Sequence, residues 1–132
     1  MITTNTIKLI GINAIPVTVE CQISNGIGIH LVGLADEAVK ESLLRTVTAL
    51  MATGYHITGK RIIINLAPAD LNKSGSGYDL PIAISLLAEQ GDLQVSGLDQ
   101  WLILGELALD GSIRSVPGSL QAAMTAVKNG YK

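Results

Sequence analysis

Two apolar segments of different periodicity, joined by one polar loop, limit what this chain can fold into. Arg61-Ile-Ile-Ile-Asn-Leu66 is a continuous β-branched run of the kind a central, doubly covered strand shows. Leu80 to Gln90 reads as a helix that is nearly apolar all round, which requires deep burial. Burying Leu80, Ile82, Ile84, Leu86 and Leu87 contributes on the order of 10 kcal/mol before entropy. The junction Asn65-Leu-Ala-Pro-Ala-Asp-Leu-Asn-Lys-Ser-Gly-Ser-Gly-Tyr-Asp-Leu-Pro-Ile-Ala83 therefore leads from a buried strand through a glycine-spaced loop into a firmly held helix start. Free backbone N–H groups and the positive end of a helix dipole meet there, which makes it the candidate anion or catalytic site.

The flanking sequence predicts the remaining elements. Ile7 to Ile12 reads as a first strand. Pro16 to Ser24 alternates, with Val17, Val19, Cys21 and Ile23 on one face, as in a half-exposed antiparallel strand. Asn25-Gly26 signals a hairpin into Ile27–Val32. Ala35 to Thr53 carries the apolar stripe Val39, Leu43, Val47 and Leu50, with Asp36 as N-cap and Gly54 as stop. Trp101 to Leu109 is a strand, Asp110-Gly111 a tight turn and Ser112 to Val116 its partner. Pro117 takes a first-turn position before a helix over Ser119 to Lys128. The order β-β-β-α-β-α-β-β-α describes an α+β two-layer sandwich filling residues 1–132 as a single domain. After the helix-ending glycine in Asn129-Gly-Tyr-Lys132 a strand normally follows, so the expectation is a fragment of a longer protein.

Composition removes several function classes. The 132 residues are 48% hydrophobic and 15% charged, yet no apolar run approaches the roughly 18–20 residues a membrane span needs. A cytoplasmic setting is expected, since the N-terminus lacks the pattern of a signal peptide and Cys21 has no cysteine to pair with. The net charge of −2 argues against a stand-alone nucleic-acid binder, and the scarcity of aromatics against base-stacking platforms. His30 and His56 are isolated, so no metal site is expected. The Walker A pattern fails because Asn72 and Ala67 stand where glycines are required. What survives is a weaker anion cradle, with the amides of Gly75, Ser76 and Gly77 beside Lys73. A turn with Asp79 capping the helix ahead of Pro81 explains the same residues. Ser74, Ser76, Lys73 and Lys60 also offer the residue types of a Ser–Lys dyad, though adjacent Lys and Ser side chains rarely converge. Lys40, Glu41 and Arg45 read as the solvated face of the first helix.

The junction Asn65–Ala83, with Ile29-His-Leu-Val-Gly-Leu-Ala-Asp-Glu-Ala-Val-Lys-Glu-Ser42 and Leu104-Gly-Glu-Leu-Ala-Leu-Asp-Gly111, resembles the start of the YifB/ComM family of Mg-chelatase-like AAA+ ATPases. The three motifs occur in the family's order and span essentially the whole chain. The resemblance implies a Lon-protease-type fold, shared with GHMP kinases and a ribosomal-protein domain: a mixed sheet with helices on one face, preceding an ATPase module. In Lon-type proteases the nucleophile lies in a Lys-Asp-Gly-Pro-Ser-Ala-Gly stretch; laid on Lys73–Asp79, the serine falls at Gly77. The catalytic lysine falls near Leu120, and no lysine occurs between Gly111 and Lys128. The resemblance thus implies a protease fold without the protease dyad, and no cofactor in this domain. ATP and Mg would belong to Walker motifs elsewhere in the parent. The implied partners are the chain's own AAA+ module, further copies in a ring, and DNA, given the family's association with DNA processing and competence.

Overall fold

A computed structural model describes residues 1–33, 35–73 and 77–132. Strands β1 (Ile2–Ile10), β2 (Asn13–Ser24), β3 (Ile29–Val32) and β4 (Arg61–Ala67) form one mixed sheet in the order β1-β2-β4-β3. β1 and β2 are antiparallel, β2 and β4 antiparallel, and β3 and β4 parallel. Helices α1 (Glu37–Ala52), α2 (Asp79–Gln90) and α3 (Ser119–Asn129) complete the domain with a small hairpin of β5 (Glu106–Leu107) and β6 (Ile113–Arg114). This is the α+β sandwich that the element order describes, with the mixed sheet that the family resemblance implies.

The core follows from strand periodicity. Val17, Val19 and Cys21 of β2 and Ile62, Ile64 and Leu66 of β4 have no exposed surface. Their register places Val19 opposite Leu66 and Cys21 opposite Ile64, and Leu31 of β3 continues the row beside Ile64. Ile82 and Leu86 of α2 and Val39 and Leu50 of α1 close the core over that face. A polar seam stitches α2 to β1: the Thr4 and Ser85 hydroxyls lie 2.8 Å apart, and Ser85 Oγ donates to the Pro81 carbonyl at 2.7 Å.

Several expectations change. The Asn25-Gly26 turn does not close a hairpin, because β4 lies between β2 and β3 and pairs with both. The apolar row of β4 finds core-facing partners on both sides only in that position. The hairpin joins β1 and β2 instead, through Gly11 at φ 60°, and β1 begins at Ile2 rather than Ile7. β4 is central in the ladder but covered on one face only, since Ile63 and Asn65 stay half-buried. Trp101–Leu109 is not one continuous strand: Leu102 makes an isolated bridge to Asn5, and regular pairing returns only at Glu106–Leu107. Pro117 lies one residue before the α3 cap Gly118, outside the helix.

Asp36 caps α1 as its sequence position predicts, Oδ1 accepting from Val39 N at 2.9 Å. Just before it, Gly33 has φ 109°, and a Cβ there would run into the Leu66 carbonyl group of β4. Gly54, at φ 94°, has open space around it. Gly33→Ala should therefore cost about 3–5 kcal/mol, overpacking added to backbone strain. Gly54→Ala should cost only the strain, about 1–2 kcal/mol. Urea unfolding at unchanged m value measures both; equal costs would contradict the close packing of Gly33 on β4.

Candidate functional site

The entrance to α2 is built from three segments. The loop after β4 runs beside the N-terminus of α1, where Ala35 bridges Lys73 and Asp36 N donates to Lys73 O at 3.1 Å. The backbone around Gly105 closes the other side: Gly105 N donates to Gly77 O at 3.2 Å, and Leu80 N to Gly105 O at 3.1 Å. Strand, helix start and loop thus converge through main-chain bonds.

Lys73 does not reach solvent. Its side chain is fully buried, and Nζ donates to Gly33 O at 2.7 Å and to Pro68 O. Burial pushes its ammonium below the ordinary 10.5, with Asp70 opposing that shift and Lys8 adding to it. Lys8 reaches the same loop by donating to the Asn72 carbonyl. The lysine of the junction therefore holds two carbonyls of neighbouring turns, as the charge-assisted bonds of a buried ammonium require. Of its expected companions in an anion cradle, Gly77 is the turn residue bonded to Gly105. Gly75 and Ser76 lie outside the described residues, as does Ser74. Lys60, the other lysine weighed for a dyad, is exposed at the far end of β4's approach, beside His56 and Thr58.

Asp79 carries the densest set of contacts. It is the first residue of α2, not its cap, for Tyr78 takes the cap position without a side-chain bond. The Asp79 carboxylate is fully buried and receives Arg45 Nε at 2.6 Å and Nη2 at 2.9 Å. Ser42 Oγ donates to its Oδ1, and Leu107 N to its Oδ2 at 3.0 Å. One carboxylate joins α1, α2 and β5. Hydrogen bonding to Asp79 pushes the Arg45 guanidinium up from its ordinary value, and burial acts against that shift. Arg45 is thus not part of a solvated face. A signal existed: Ser42 and Thr46 lie three and one positions from it, and both are buried beside Val39 and Leu50. A helix face mixing small polar residues with apolar ones calls for a polar partner opposite.

Tyr78, beside Asp79, is 2% exposed, and its hydroxyl has no partner among the described residues. Burial, with Asp36 nearby, raises its phenol to about 12. Cys21 is likewise raised to about 12 by burial and lies in the core, as its inward phase on β2 predicts. Among the described residues no three His, Cys, Asp or Glu side chains gather into a metal-binding group. Gly77 and Leu120, the positions where a Lon-type dyad would fall, offer no nucleophile and no base; Leu120 is 69% exposed on α3. No described helix is long and apolar enough to cross a membrane.

Two predictions follow from these bonds. Arg45→Met and Asp79→Asn should each destabilise by about 2–4 kcal/mol, because each leaves buried polar atoms unpaired. The double variant should cost much less than their sum, and additive costs in a double-mutant cycle would contradict the coupling. For Lys73, the unfolded ammonium holds its proton up to 10.5 while the folded one releases it earlier. The unfolded state then binds more protons in the window just below 10.5, so stability relative to Lys73→Met should rise with pH there. A flat difference between the two pH profiles would show that the ammonium is not buried in solution.

Comparison with known proteins places this architecture. Residues 19–132 match the family described as subunit ChlI of Mg-chelatase. The YifB protein of Escherichia coli strain K12 is 49% identical over 124 residues, covering 93% of this chain and 24% of that protein. The competence protein ComM of Haemophilus influenzae is 46% identical over 120 residues, covering 90% of this chain and 24% of that protein. The chain spans about a quarter of the length of these relatives. With its motifs in order and most of its length matched, the chain belongs to the Mg-chelatase ChlI family, in the YifB/ComM group.

Proposed function

We propose that this is a non-catalytic N-terminal domain of a Mg-chelatase-like AAA+ ATPase linked to DNA processing and competence, and that it works by contact with protein in assembly of the parent ring. ATP and Mg would act in the parent's own ATPase module, and presentation of DNA or of a partner would be the further use of the same domain. The reading is supported first by how the polar groups of the α2 entrance are spent. Lys73 and Asp79 hold carbonyls, amides and Arg45, so among the described residues neither is left to serve as base or ligand.

The single observation that carries the contact role is an apolar face on α3. Leu120, Met124 and Val127 follow the i, i+4, i+7 spacing of one helix face and are 69%, 63% and 84% exposed. Ile12, 85% exposed at the β1–β2 turn, lines the same cleft as Met124. A cluster of large exposed side chains of this kind marks a protein contact surface. The net charge of −2 favours protein over DNA as what touches this domain first.

The test is made in the full-length protein, with Leu120→Glu and Val127→Glu combined. Assembly measured by mass photometry should shift toward smaller species by about 30-fold or more in midpoint concentration, since each of the two charges forfeits on the order of 1 kcal/mol or more of interface burial. Unchanged assembly with weakened DNA binding would move the role to DNA presentation and contradict the proposal as stated.

A further inference from the structure

We infer that the apolar groove between α1, α2 and the β5–β6 hairpin is a socket in which a neighbouring copy of the chain seats the tip of its β1–β2 hairpin, head to tail. The inference rests on the ring-assembly reading and names the second half of that contact.

The groove is pre-formed. Leu80, Ala83 and Leu87 of α2 make its floor, Thr53 and Tyr55 at the end of α1 make one wall, and Ile113 of the hairpin makes the other. Asp79 holds these three elements together, since its carboxylate takes Arg45 of α1 and the Leu107 amide of β5. Gly111 closes one end, packed so near α1 that a Cβ there would collide with Thr53 Cγ2. Tyr55 and Ile113 stay exposed at the rim.

The lining selects the occupant. Among the described residues the only polar side chains in the groove are Thr53 and Tyr55, and the Thr53 hydroxyl already donates to the Ala49 and Leu50 carbonyls. The volume is about 330 Å³, at the small end of ligand pockets. A polar cofactor would meet no convergent set of hydrogen-bonding side chains here, whereas branched aliphatic side chains fit such a lining.

The hairpin tip supplies those side chains. β2 pairs with β4 only from Thr18 onward, whereas its pairing with β1 runs on to Asn13 opposite Ile10. The end of the hairpin therefore extends past the four-stranded body as a two-stranded ribbon. Ile10 and Ile12 are exposed at its tip, and Ile12 is the most exposed large apolar side chain among the described residues.

Sidedness makes this a contact between copies. Thr4 of β1 meets Ser85 of α2, while Leu9, in the opposite phase of the strand, lies against Gly118 at the start of α3. α3, and the cleft it forms with Ile12, thus lie on the other face of the sheet from the α2 layer that floors the groove. A closed ring needs two different patches on each copy, joined in the same sense all the way round. One repeated contact of tip and groove then covers both patches on every copy.

The experiment takes two variants of the full-length protein, Ile12→Cys and Ile113→Cys. They are mixed as dispersed copies, concentrated and treated with a short bismaleimide, with the unsubstituted protein as background. Both positions are exposed, so the fold tolerates the changes, and Cys21 is buried and does not compete. The mixture should give at least about tenfold more cross-linked dimer than either variant alone, because docking holds the two thiols at a high effective concentration. No excess over the single variants overturns the inference. So does efficient dimer formation by Ile12→Cys alone, which would mean tip-to-tip pairing. Either failure is separable from failure of the ring-assembly reading, which is read from whether Leu120→Glu with Val127→Glu disperses the protein.

Discussion

A single buried carboxylate organises the side of this domain where chemistry would be sought. Asp79 stands at the first residue of α2, where the helix dipole already favours a negative charge. It then takes hydrogen bonds from Arg45, Ser42 and the Leu107 amide, drawing α1 and the β5–β6 hairpin onto α2. Without those partners its burial would cost several kcal/mol. With them, the position of the helix relative to two other elements is determined by one residue. Lys73 does the equivalent for the loop side, joining the turn before α1 to the turn after β4. The glycine-spaced junction is thereby held between two charge-assisted anchors, both directed inward.

How much of this could be read in one dimension depended on the range of the interaction. Alternation over Pro16–Ser24 and the β-branched run Arg61–Leu66 located the core strands, because burial on a sheet face repeats every second residue. The α1 cap at Asp36 was visible because it is a contact between neighbours three apart. The pairing of β3 was not, since Asn25-Gly26 is a local turn signal and the parallel ladder to β4 is a long-range outcome. Arg45 and Asp79 lie 34 residues apart, and each alone has an ordinary local role, on a helix surface or at a helix cap. Only packing shows that they meet. The same holds for Lys73, whose residue type suits an anion cradle but whose ammonium finds carbonyls nearer to hand.

The molecule's unspent features lie elsewhere. α3 presents an apolar face to the outside, with Leu120, Met124 and Val127 exposed. In the proposed reading, the α3 face is where the parent protein would attach its neighbours.

The central claim is that the α2 entrance serves the fold rather than acyl chemistry, and serine reactivity tests it without reference to any partner. A fluorophosphonate probe incubated with the folded protein and read by intact mass should leave the mass unchanged. A stoichiometric adduct that disappears in Ser74→Ala or Ser76→Ala would contradict the account and restore a nucleophile to the junction.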